Sequence, residues 1–94
     1  MGYSCTAAAM ETLEAIMDSL PRARNWGTNS WSDEGREYIY EIGPEQADGR
    51  IAGSYYRMSL VNPHTAQIAG RFCIAADGAL VRGPSVWWQV YAGN

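Results

Sequence analysis

Lysine is absent from this chain, histidine occurs once, cysteine twice and phenylalanine once, and no run approaches eighteen consecutive apolar residues. Without such a run there is no candidate membrane-spanning helix. The N-terminal stretch MGYSCTAAAMETLEAIM has neither a cationic start nor a continuous apolar segment, so no secretory signal is expected and the expected location is cytoplasmic. The two cysteines, Cys5 and Cys73, fit no CxxC pattern, which argues against a disulfide framework and against a zinc site. The lone histidine, His64, lies in the turn-like segment VNPHT, and no serine or cysteine has an evident base beside it. No metal, cofactor or catalytic residue is expected, and the chain reads as a non-enzyme.

Charge excludes further classes. Ten acidic residues outweigh seven basic ones, all arginine, for a net charge of −3. That balance disfavours general attachment to nucleic acid or to an anionic membrane. The lack of lysine fits a GC-rich genome, although arginine also suits bidentate and stacking contacts. Glu37 and Glu41 would share one face of a strand, roughly 13 Å apart at about 3.3 Å per residue. A glycosidase carboxylate pair needs about 5 to 9.5 Å. Ten glycines form neither a G-x-G-x-x-G motif nor a P-loop.

What is present suits one small α+β domain over residues 1–94. Hydrophobic residues make up 47% of the chain against 18% charged, enough apolar surface to offset the entropy of ordering. From about 4 to 20, Ala9, Leu13, Ile16, Met17 and Leu20 recur at spacings of three and four. This is the signature of an amphipathic helix with one buried face. Ser4 or Thr6 can cap its start, Pro21 cannot continue it, and Ala7 to Ala9 permit close approach to a sheet.

Residues 21–35 are rich in Asn, Ser, Gly and Asp and read as a loop, long enough that Trp26 or Trp31 should pin it. Residues 36–92 then alternate apolar runs with turn signals at GPEQADG, VNPHT, AADGA and Gly83-Pro84, which predicts a four- or five-stranded antiparallel meander. The triplets A-D-G and I-A-G each occur twice and read as reused hairpin chemistry. The last run, VWWQVY over 86–91, is expected as a strand, with a short helix after Pro84 and Ser85 as the alternative.

Pairing Val61 with Thr65 and Ala76 with Ala79 collects Tyr38, Tyr40, Ile42, Ala52, Tyr56, Met58, Leu60, Ile68, Phe72, Ile74 and Val81 on the face beneath the helix. The opposite face then holds Glu37, Ile39, Glu41, Ile51, Tyr55, Arg57, Arg71, Cys73, Leu80 and Arg82, centred on Tyr55. Aromatic residues reach 12%, so some are expected at the surface.

Two functional classes follow. One is a non-catalytic protein-binding or self-associating module, with a protein partner or a homodimer formed through Tyr55, Arg57, Arg71 and Arg82 or through the tryptophan loop. Its size and composition also suit a phage or mobile-element accessory protein that inhibits a host factor. The other is a small ligand-binding domain in which Trp26, Trp31 and Trp87 or Trp88 stack on a sugar or nucleotide.

Overall fold

The computed structural model describes residues 4–23, 27–59 and 66–93. Among them the order is helix α1 (Ala7–Ser19), strands β1 (Ser30–Asp33), β2 (Arg36–Ile42), β3 (Ile51–Met58), β4 (Ala66–Ile74) and β5 (Leu80–Arg82), and helix α2 (Ser85–Ala92). The strands form one antiparallel sheet in the order β1-β2-β3-β4-β5, so each pairs with its neighbour in sequence. Such a meander follows from connections too short to cross over.

Helix α1 starts and stops where its sequence says it must. The Thr6 hydroxyl accepts a hydrogen bond from the Ala9 N–H at 3.1 Å, satisfying one of the donors left free in the first turn. Leu20 adopts an extended backbone before Pro21, and the buried face is Ala9, Leu13, Ile16 and Met17, continued by Leu20. These side chains join Trp31, Ile51, Phe72, Ile74, Leu80 and Trp87 in one core. Both helices therefore cover the same face of the sheet.

The two A-D-G triplets acquire a shared role. In each, the aspartate carboxylate accepts from the N–H two residues on, Asp48 from Arg50 at 3.2 Å and Asp77 from Ala79 at 3.0 Å. Each glycine has a positive φ, +83° at Gly49 and +91° at Gly78, a region that side chains with a Cβ rarely adopt. Because both turns lie at the same end of the meander, both meet the start of α1. The Thr6 N–H donates to the Gly49 carbonyl at 3.0 Å, and its hydroxyl donates to the Ala76 carbonyl. Nearly two turns further along, the Thr12 hydroxyl donates to the Gly78 carbonyl at 2.6 Å.

Three sequence expectations change. Residues 30–33, within the expected loop, form β1, joined to β2 by a two-residue turn in which Glu34 (φ 51°) and Gly35 (φ 79°) are both left-handed. Two consecutive positive φ values match the twist of a tight hairpin, so Glu-Gly is the signal, partly disguised because glutamate is uncommon there. Residues 86–91 lie in a helix rather than a strand. The spacing of Trp87, Val90 and Tyr91 brings those three side chains against the core from one side.

The third change is register. Tyr40 pairs with Tyr55, Ile51 with Ile74, and Tyr55 with Gly70. Strand β3 is thus flipped relative to expectation, with Ile51 and Tyr55 on the helix side and Ala52, Tyr56 and Met58 outside. A bulge between Tyr55 and Tyr56 brings Ile68 opposite Tyr56, so Ile68 also faces outward, 60% exposed. Near the last hairpin, Ile74 pairs with Leu80 rather than Val81, and a second bulge leaves Val81 58% exposed. Leu60 and the expected Val61–Thr65 pairing lie outside the described residues, as does His64.

The reason for the flip is visible in the glycines. A Cβ on Gly70 would lie 2.6 Å from the Tyr55 hydroxyl oxygen, and a Cβ on Gly53 would lie 2.9 Å from the Phe72 ring and would drive into the Glu41 carbonyl. Gly53 pairs with Phe72 while Tyr55 pairs with Gly70. Each strand offers a glycine notch to the other's aromatic ring. Selecting the register by apolar residues alone misses this, because glycine adds no apolar side chain yet makes room for the largest ones.

Candidate functional site

The residues singled out from sequence do not converge. Trp31 is 1% exposed and Trp87 fully buried. Their rings meet edge to face with centroids 5.3 Å apart, and Trp87 also contacts Phe72 at 5.1 Å and Tyr40 at 6.1 Å. Trp31 stacks on Tyr38 at 5.5 Å and tilts against Tyr55 at 6.1 Å. The platform expected from these two indoles is absent because they form the aromatic centre of the core, where edge-to-face and offset contacts are favourable beyond simple burial. Neither indole N–H has a hydrogen-bond partner among the described residues. Trp88 is 39% exposed beside Tyr91, with ring centroids 6.1 Å apart. Trp26 lies outside the described residues.

Among the four sheet residues, Tyr55 belongs to the helix-covered side, packed against the core and over Gly70. Arg57 pairs with Tyr38, on that same side, but is exposed. Arg71 and Arg82 lie on the other side, in register with Ser54 and Cys73. The expected cluster around Tyr55 is therefore divided between the two faces by the one-residue change in register.

The outer face carries a different arrangement, organised in cross-strand rows. In one row Ile39, Tyr56 and Ile68 lie side by side on β2, β3 and β4. On one side of it is the row Glu37, Met58 and Ala66, and on the other the row Glu41, Ser54 and Arg71. An apolar centre is thus bordered by acid on β2 and by base on β4, with Arg82 beyond it on β5 beside Cys73. Glu41, Arg71 and Arg82 are exposed, and Ile39, Tyr56 and Met58 are partly so. Where the last rows run toward the A-D-G end of the sheet, a depression of about 440 Å³ is lined by residues including Glu41, Arg50, Ser54, Arg71, Cys73 and Arg82. Sequence reasoning missed Tyr56, Met58 and Ile68 as surface residues because their apolar character argued for the core.

On the helical side, a cleft of about 660 Å³ lies between α1 and the β4–β5 turn, lined by residues including Glu11, Thr12, Asp77 and Tyr91. Thr12 is already engaged with Gly78 there.

Tyr40 has a displaced titration. Burial, reinforced by the negative charge of Glu14, raises its pKa above the ordinary 10.0. Tyr40 packs against Phe72 and Trp87, so the shift reflects its place at the core margin. Among the described residues no group of three or more His, Cys, Asp or Glu side chains could hold a metal ion, and no helix is long and apolar enough to cross a membrane. No known protein-family model, curated protein or solved structure matches this chain.

Proposed function

We propose that this chain is a non-catalytic protein-binding module whose working surface is the outer face of its sheet. The observation that carries this reading is the row Ile39, Tyr56 and Ile68, with Ile68 60% exposed. Aromatic and aliphatic side chains at the centre of a patch, with charged residues at its border, match the usual division of an interface into an apolar centre and a polar rim. The same reading accounts for where the aromatics went. Trp31 and Trp87 are consumed by the core, which weakens the case for a tryptophan platform that stacks on sugars or nucleotides. Size and acidic composition further suggest a cytoplasmic accessory protein, of the kind a phage or mobile element uses to occupy a host factor.

The test is affinity capture with three immobilised chains: wild type, Ile68→Asp on the outer face, and Asp18→Arg on the exposed side of α1. A specific protein retained by wild type and by Asp18→Arg but lost by Ile68→Asp supports the reading. If every retained protein survives Ile68→Asp, the outer face is not the working surface.

A further inference from the structure

The outer face is complementary to itself. Strand β3 lies at its centre, with β2 on one side and β4 on the other. A two-fold axis in the plane of the interface and parallel to β3 exchanges the two sides while keeping each residue at its own height along the strands. Each cross-strand row then faces its own copy, reversed left to right. Glu41 comes over Arg71 of the second copy and Arg71 over its Glu41, since both belong to the row that contains Ser54. Ile39 comes over Ile68 and Ile68 over Ile39, with Tyr56 on the axis between them. No like charges are opposed in these two rows.

Resting on the reading that this face binds a macromolecule, we propose that its partner is a second copy of this chain, docked face to face about an axis along β3. The arrangement is the isologous kind, in which one patch serves both subunits. The orientation is specific. An axis in the same plane but perpendicular to the strands would set β2 over β2 and bring acid against acid. Twisted sheets pack with strands inclined by about 30°. One strand spacing from the axis, about 4.8 Å, this displaces facing residues by only roughly 2–3 Å, within the reach of glutamate and arginine side chains. The face is small, so the association is weak and reversible, in the class of transient encounters rather than obligate dimers.

Charge reversal tests this directly. Sedimentation of the full chain up to about 1 mM should show the wild type moving reversibly toward twice the monomer mass. Glu41→Arg and Arg71→Glu, each alone, set two like-charge pairs across the axis and should weaken association about tenfold or more. Mixed in equal amounts, the two variants should associate again. The arginine introduced at position 41 of one chain then faces the glutamate introduced at position 71 of the other, and the native Arg71 of the first faces the native Glu41 of the second. An effect confined within one chain cannot produce that rescue, and rescue also certifies that both variants are folded. Milder substitutions, Glu41→Gln and Arg71→Gln, should each weaken association by a few-fold. A wild type that stays monomeric throughout, or a mixture that associates no better than its components, would overturn the inference. A monomeric wild type that captures a different protein in an Ile68-dependent way would also overturn it while leaving the proposed function standing.

Discussion

The two faces of the sheet use similar residue types under opposite constraints. On the inner face, Tyr55 and Phe72 are seated by glycines on the neighbouring strand, and Trp31 and Trp87 interlock beneath the helices. A dense interior penalises both gaps and overfilling, so each ring there depends on the shape of its neighbour. On the outer face, Ile39, Tyr56 and Ile68 lie in a row whose members are at least partly exposed. There apolar and charged side chains alternate in cross-strand rows with neither of the described helices over them, which is the arrangement the proposed interface uses. The comparison teaches that an aromatic count does not measure binding surface. The rings expected outside were needed inside, and two of the three residues in the exposed row, Tyr56 and Ile68, are ones the apolar pattern assigns to the core, whereas Ile39 is expected outside.

If this contrast is right, inner-face substitutions should dominate stability. Trp87→Ala removes the ring that touches Trp31, Tyr40 and Phe72 and should cost about 3–5 kcal/mol in urea unfolding, whereas Trp88→Ala should cost under about 1 kcal/mol. Comparable losses from both would erase the distinction drawn between them. Gly53→Ala comes next, with an expected cost of about 2–4 kcal/mol, because the added methyl meets a backbone carbonyl that cannot withdraw without breaking the β2–β3 ladder. Ser54→Ala, one residue along on the outer side, should stay within about 0.5 kcal/mol. Equal effects at 53 and 54 would show that the notch is not needed.

The link between α1 and the two A-D-G turns predicts an intermediate effect. Thr6→Val keeps the volume but removes the cap at Ala9 and the bond to Ala76, and should cost about 1–2 kcal/mol. Amide exchange should then accelerate at Ala9 and around the Asp77-Gly78 turn together; acceleration at the helix alone would mean the turn is held by something else. Ile68→Asp is expected to change stability by less than about 0.5 kcal/mol while abolishing concentration-dependent association.

The smallest effect concerns pH. The pKa of Tyr40 is raised in the folded state, so the folded protein keeps the phenol protonated where the unfolded chain would begin to lose it. Its contribution to stability is therefore fully present below the ordinary value of 10.0 and is lost as pH rises through the higher folded value. Alkaline titration followed by ultraviolet absorbance should show a late tyrosine component that Tyr40→Phe removes, and Glu14→Gln should bring that component slightly earlier. A late phenol that persists in Tyr40→Phe would assign the effect elsewhere.

The sequence by itself determined the elements whose signals are local. Apolar spacing marked the buried face of α1, Thr6 and Pro21 marked its limits, and Asp-Gly marked two hairpins, because these depend on a few adjacent residues and the geometry of one backbone segment. Tertiary structure alone decided the register of β3 against β4, the fate of Trp31 and Trp87, and hence which surface is available to a partner. Those outcomes depend on whether a ring on one strand finds a glycine on the next and on where a bulge falls. Such complementarity arises only when segments distant in sequence meet, and a slip of one residue then exchanges the two faces.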